Sequence, residues 1–290
     1  MIVEAKGLCK KYQKFELKDV DIVLPEGYIM GLIGPNGAGK TTTIKLLMNI
    51  VAPDKGDIKL FGMRWNEENE VLIKQRIGYV GEEQPFYDEM SVKWTADLVS
   101  KFYPSWDNKT YIDLIKQFDI DENKKVGDLS KGNRVKFALA LAMAHKPDLL
   151  ILDEPTSGLD PVIRRDILKL LAKFIEDGKR SILFSTHITE DLDKVADYIV
   201  LINDGRILVS AEKDDIIAKI KKVHIRTAEF NKLSANLFIA HKSVGDECMA
   251  VTADFPAFRR MYKNIAAKDP EAYGMDLSDI MLAYVKGEIY

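Results

Sequence analysis

The stretch Gly34-Pro35-Asn36-Gly37-Ala38-Gly39-Lys40-Thr41-Thr42 constrains this chain more than any other part of it. It fits the pattern G-x-x-x-x-G-K-[ST], with Gly34, Gly39, Lys40 and Thr41 at the defining positions. The apolar run Tyr28-Ile29-Met30-Gly31-Leu32-Ile33 precedes it and reads as a buried strand. Thr43-Ile44-Lys45-Leu46-Leu47-Met48 follows with apolar residues at helical spacing. A strand, a glycine loop and a helix in this order wrap backbone N–H groups around phosphate oxygens, and the helix adds its positive end. Gly34, Asn36, Gly37, Ala38, Gly39, Lys40, Thr41 and Thr42 are therefore expected to cradle the phosphates of ATP. Within that set Lys40 would reach the β- and γ-phosphates, and the Thr41 hydroxyl would ligate Mg²⁺.

Further along, Asp148-Leu149-Leu150-Ile151-Leu152-Asp153-Glu154 is an apolar run ending in two acids. Such a strand delivers carboxylates to the C-terminal edge of an open α/β sheet, where ligands bind. Asp153 is expected to hold the Mg²⁺ shell, and Glu154 to orient or deprotonate an attacking water. Ser181-Ile182-Leu183-Phe184-Ser185-Thr186-His187 ends a third strand in a histidine. A lone strand-end histidine is commonly structural, but one on the nucleotide edge can contact a γ-phosphate. Near the start, Lys10-Lys11-Tyr12 offers a tyrosine that either stacks on adenine or packs on a strand face.

The rest of the chain implies an α/β fold: a P-loop NTPase core with an antiparallel β subdomain and an inserted α-helical subdomain over about 82–146. Short β-rich runs fill residues 1–33, and Arg76-Ile77-Gly78-Tyr79-Val80 reads as another strand of the main sheet. Residues 198–209 read as a hairpin turning through Asn203-Asp204-Gly205. The boundaries expected are 1–215 for the ATPase domain and 216–290 for a small C-terminal α/β extension. In that extension the expectations are a basic helix from Ile216 to Lys222, β-like runs at His224-Ile225-Arg226 and Cys248-Met249-Ala250-Val251, and a helix near Phe255 to Ile265. A net charge of −3 gives no electrostatic case for nucleic acid as a partner. No uncharged apolar stretch approaches 20 residues, so no direct membrane span is expected. Met1-Ile2-Val3-Glu4-Ala5-Lys6 lacks a signal-peptide layout, and Cys9 and Cys248 lie far apart without C-x-x-C spacing. A cytoplasmic protein with free thiols is expected on these grounds.

Leu129-Ser130-Lys131-Gly132-Asn133 lies ahead of the acidic strand, where the ATP-binding subunits of ATP-binding-cassette (ABC) transporters carry their signature motif. With Asp153-Glu154-Pro155-Thr156-Ser157-Gly158-Leu159-Asp160 and Ser185-Thr186-His187, residues 1–215 resemble that family. The resemblance implies an ATPase in which two subunits pack head to tail, as a homodimer or heterodimer, each ATP lying between one P-loop and the other signature. It implies that Tyr12 stacks on adenine, that His187 contacts the γ-phosphate, and that Ser130 and Gly132 bind the γ-phosphate of the partner's ATP. Two departures stand out. Lys131 and Asn133 occupy the third and fifth places of the usual L-S-G-G-Q, and the family's Q-loop glutamine falls by spacing on Glu82, with Gln84 the alternative. Glu82 is therefore expected to serve as the additional metal ligand.

The resemblance also implies a separate transmembrane permease as partner, which would hold the chain at the inner face of the membrane. Phe86, Tyr87, Met90, Trp94, Phe102, Tyr103 and Trp106 lie where the family receives a helix of that partner, although more than half of them are expected in the helical subdomain's own core. The ending Asp276-Leu277-Ser278-Asp279-Ile280-Met281-Leu282 resembles bacterial exporters of drugs, lipids or antimicrobial peptides. The alternative is a soluble ABC-type ATPase acting as a mechanical regulator in translation, DNA repair or cluster assembly. Those relatives usually carry two cassettes or long coiled-coil insertions, and this sequence shows neither.

Overall fold

Alternation of buried and exposed residues shapes the first layer. The computed structural model describes residues 1–289. Strands β1 (Val3–Lys11) and β2 (Glu16–Leu24) pair antiparallel, and Leu17, Val20, Ile22 and Leu24 of β2 point into the core at every second or third place. The next strand, β3 (Ile29–Ile33), is buried along its whole length and runs into the glycine loop and α1 (Lys40–Leu47). The antiparallel sheet is completed by β4 (Lys55–Leu60) and the short β5 (Met63–Arg64), in the order β2-β1-β4-β5. The polar stretch before Arg76 contains a helix that the sequence reading did not anticipate, α2 (Glu70–Gln75), which carries only one fully buried side chain, Ile73. One apolar contact is too little for a periodic signal.

β6 (Ile77–Val80) is followed by the helical insertion: α3 (Val92–Ser100), α4 (Asn108–Gln117) and α5 (Lys131–Ala144). Each starts on a side-chain cap, at Ser91, Asp107 and Ser130 respectively, which satisfies N–H groups the helix itself cannot. An isolated bridge between Ser91 and Lys125 closes the insertion. The core resumes with β7 (Leu149–Asp153), α6 (Pro161–Phe174), β8 (Ser181–Thr186), α7 (Thr189–Val195) and the hairpin β9 (Tyr198–Asn203) and β10 (Arg206–Glu212). The six strands order as β10-β9-β3-β8-β7-β6, parallel except for β10 at one edge. The buried runs of β3, β7 and β8 follow from cover on both faces, by helices including α5 and α6 on one and by α1 with the antiparallel sheet on the other.

After β10 the chain continues through α8 (Lys213–Lys219), β11 (Lys221–Arg226), α9 (Thr227–Phe230), β12 (Phe238–Val244), β13 (Glu247–Thr252), α10 (Phe255–Ala266), β14 (Glu271–Tyr273) and α11 (Leu277–Lys286). The expected basic helix from Ile216 to Lys222 is corrected: it begins and ends three residues earlier, and Lys221 and Lys222 open β11. From Lys221 onward Val223 and Ile225 alternate with half-buried or exposed residues, and that period of two selects a strand. The strand order β12-β13-β11-β14, all neighbours antiparallel, is the split β-α-β arrangement of ferredoxin-like folds. Val223, Ile225, Cys248 and Ala250 on one face of this sheet form a core with Phe258 and Tyr262 of α10. Ala240 and Val251 instead join Leu277, Ile280 and Ala283 of α11 in the large core shared with the ATPase domain. Both cysteines are free thiols, and among the described residues no helix is long and apolar enough to cross a membrane.

Gly78 in β6 tests the packing of this sheet. A Cβ there would lie 2.6 Å from Leu150 Cδ2 and 2.8 Å from the Ala142 carbonyl of α5, and the carbonyl cannot rotate away. Gly78→Ala is expected to destabilise the protein by about 1–3 kcal/mol through overpacking, read as a lower urea midpoint.

Candidate nucleotide-binding and hydrolysis site

Four strand ends meet at one edge of the parallel sheet. The loop after β3, Glu82 after β6, Glu154 after β7 and His187 after β8 all border a cleft of about 940 Å³. Its walls include Tyr12, Asn36, Gly37, Gly39, Lys40, Thr41, Thr42, Glu82, Glu154 and His187, so residues spread over 176 positions face one volume. Gly34 and Ala38 build the loop from behind. A side chain at Gly34 would collide with the Ile202 carbonyl, which explains its glycine. Gly39 holds φ +117° at the start of α1, a conformation that disfavours side chains. No side chain caps α1 and its first turn carries no acid, so the N–H groups there are left for an anion.

Charge in the cleft is held out of water. Lys40 is only 6% exposed, and its ammonium donates to the carbonyls of Gly34 at 2.8 Å and Pro35 at 3.3 Å. It also pairs with Glu154 Oε1 at 3.1 Å. The other carboxylate oxygen, Oε2, lies 2.8 Å from His187 Nδ1 and accepts the His187 backbone N–H at 3.4 Å. Glu154 itself sits at φ +52°, a left-handed turn that swings its side chain off the end of β7. Asp153, 1% exposed, is buried beside it and accepts a short hydrogen bond from the Ser185 hydroxyl. The parallel register sets Asp153 opposite Ser185, a pairing that only the strand order reveals.

The residues fit Mg-ATP. Magnesium keeps most of its shell in waters and phosphate oxygens and takes only one or two protein ligands. The Thr41 hydroxyl, which borders the cleft at an uncapped helix start, and the carboxylate of Asp153, buried next to Glu154 at the end of β7, would supply that number. Glu82 borders this cleft, whereas Gln84 turns away: its amide donates to the Gly81 carbonyl at 2.9 Å and lines a different, largely apolar cavity of about 480 Å³. Lys14, Phe15, Lys45, Ser157 and Asp204 also line the nucleotide cleft and were not anticipated. Phe15 packs beneath Gly39, and no spacing rule foretells that contact.

Ser130 and Gly132 are not in the cleft. Ser130 is exposed at the start of α5, where its hydroxyl accepts the Asn133 N–H at 3.3 Å, and a Cβ on Gly132 would press on Ile163 of α6. Lys131 lies over the loop after β7: its ammonium would be 2.7 Å from a Cβ on Gly158, which holds φ +68°. The expectation that most of the aromatic and Met group is core is corrected. Tyr87, Met90, Trp94 and Phe102 are exposed, Tyr87 and Phe102 by more than two thirds, and only Phe86, Tyr103 and Trp106 are half-buried. Core space in the insertion is filled by aliphatic residues of α4 and α5, so Tyr87, Met90, Trp94 and Phe102 stay at the surface, while Phe86 and Tyr103 line the apolar cavity. Tyr103 stacks on His145 at 3.9 Å between centroids, and burial pushes that imidazole down to about 4.

Comparison with known proteins agrees with this geometry. The ABC transporter family model matches residues 17–157. The ABC transporter ATP-binding protein YtrB of Bacillus subtilis (strain 168) is 34% identical over 209 residues, 72% of this chain and 71% of YtrB. The bacitracin transport ATP-binding protein BcrA of Bacillus licheniformis is 30% identical over 225 residues, 76% of this chain and 73% of BcrA. Among solved structures, the ATP-binding subunit of an ABC transporter superposes with a TM-score of 0.68 at 28% identity, covering 75% of this chain and 92% of that one. The chain belongs to the ATP-binding proteins of ABC transporters, ATPases that act on ATP with Mg²⁺.

Proposed function

We propose that this ATPase powers a separate transmembrane permease that exports its cargo, and that it works as one of two head-to-tail subunits at the inner face of the membrane. The observation that carries the reading is the convergence of Lys40, Glu154 and His187 around one uncapped helix start. Likeness to the bacitracin transport protein supports export, and the apolar cavity lined by Phe86 and Tyr103, with exposed Tyr87, Trp94 and Phe102 on the same helical insertion, is a suitable seat for a permease helix. The ATPase domain is taken as 1–215 and the extension as 216–290, a junction that falls inside α8.

In this reading Tyr12 stacks on adenine and the N–H groups of the loop bind phosphate. Lys40 neutralises the β- and γ-phosphates. Mg²⁺, held by Thr41 and Asp153 with Glu82 at the cleft edge, supplies positive charge against the phosphate oxygens. Glu154 takes the proton of the attacking water, and His187 orients that carboxylate and contacts the γ-phosphate. Ser130 is exposed, with Gly132 buried just behind it in the first turn of α5, and the γ-phosphate in a partner's cleft completes them.

Two substitutions separate binding from chemistry. Lys40→Ala removes the only cation that pairs with Glu154 among the described lysines and arginines, and is expected to lower ATP affinity at least ~10²-fold by calorimetry. Unchanged affinity would remove Lys40 from the phosphate site. Glu154→Gln is expected to bind Mg-ATP yet turn over at least ~10²-fold more slowly, and to accumulate an ATP-dependent dimer in light scattering. Near-normal turnover would assign the base elsewhere.

A further inference from the structure

The helix that follows His187 is braced by the C-terminal extension. α7 begins two residues after His187, and its inner face packs on β3 through Leu192. On one side Asp191, buried, takes Arg164 of α6 at 2.8 Å, which ties α7 to the helix that begins just after the Glu154 loop. On the other side lies α11, whose Leu277, Ile280 and Ala283 are fully buried and share a core with Leu192 and Ala196. The Asp193 carboxylate of α7 faces the backbone N–H of Leu277, the first residue of α11. That N–H has no partner within its own helix, and a carboxylate there also meets the helix's positive end. At the C-terminal end of α7, Lys213 at the start of α8 holds the chain as well. The Lys213 ammonium donates to the Asp193 carbonyl at 2.9 Å, and the Lys213 N–H to the Asp197 carbonyl at 2.8 Å.

These contacts surround a short element. α7 has seven residues, too few to hold its own position by helical hydrogen bonds alone. Its placement is therefore set by what packs on it, and α11 of the extension and Lys213 at the start of α8 are among those neighbours. His187 is correspondingly lightly held: its side chain is 41% exposed and bonds to Glu154.

We propose that the C-terminal extension is a positioning element of the ATPase, in which α11 and Asp193 fix α7 and through it the imidazole of His187 on Glu154. The inference rests on the reading of His187 and Glu154 given above. Cargo or permease signals reaching the ferredoxin-like unit would then alter turnover through α7, the helix that follows His187 and on which α11 packs.

The test uses the full-length chain and steady-state ATPase kinetics, with folding checked by thermal melting. Ile280→Ala unpacks α11, Asp193→Ala removes the acceptor for Leu277, and Asp193→Asn keeps an acceptor oxygen. Tyr262→Phe alters the extension's own core, where the phenol donates to Glu229 at 2.7 Å, and leaves the α11–α7 contact alone. Expected is a kcat lowered by about 5- to 100-fold in Ile280→Ala and Asp193→Ala, as a small displacement of a catalytic group produces. KM for ATP should stay within about twofold, Asp193→Asn should recover most of kcat, and Tyr262→Phe should match the parent, because only groups beyond the phosphate loop have moved. His187→Ala is measured alongside. If it loses turnover while Ile280→Ala and Asp193→Ala keep theirs, or if Asp193→Asn fails to recover kcat, the brace is refuted and the site reading stands. If His187→Ala itself turns over normally, the reading of His187 fails and the inference goes with it.

Discussion

The arrangement depends on one buried ion pair, Lys40 with Glu154. Opposite charges in a cleft wall lose several kcal/mol of hydration each, on the order of what their attraction returns, so such a pair persists only with further hydrogen bonds around it. Here the ammonium also has two loop carbonyls, and the carboxylate has His187. The pair is thus satisfied in the absence of nucleotide, yet every one of its members is a group that phosphate chemistry uses. In the proposed reading a phosphate arriving at α1 competes with Glu154 for Lys40, and the carboxylate it displaces is the proposed base. Binding and activation are linked by that competition.

The fold exists to hold those charges at one sheet edge. Continuous apolar strands pin β3, β7 and β8 side by side, so Gly34, Asp153 and Thr186 end at the same level. Buried Asp153 accepts a hydrogen bond from a hydroxyl of the neighbouring strand. The helical insertion carries Ser130 away from this edge on α5, which is why one chain by itself presents a cleft and, elsewhere, an unused anion-binding turn.

Much of this was legible in the sequence, for physical reasons that differ by element. The loop from Gly34 to Thr42 could be read because phosphate binding dictates glycines and a lysine at fixed spacing. The buried strands could be read because parallel sheets demand unbroken apolar runs. Glu82 and Gln84 could be ranked only by counting from β6, and the cleft includes the former. Ser185 as the donor to Asp153 was invisible, since a cross-strand partner depends on strand order. The boundary of α8 with β11 was misread because lysines there suggested a helix, while the burial of Val223 and Ile225 is a tertiary effect. The exposed rings at Tyr87, Trp94 and Phe102 escaped for the opposite reason: composition says that aromatics are usually inside, and only the packing of α4 and α5 shows the space already filled.

The most direct measurement of the central claim is a diffraction structure of Glu154→Gln with Mg-ATP. The account predicts phosphates at the start of α1, the Lys40 ammonium on a phosphate oxygen in place of residue 154, and Ser130 of the partner subunit against the γ-phosphate. Nucleotide bound outside this cleft, or Lys40 still held by the Gly34 and Pro35 carbonyls with no phosphate contact, would contradict it.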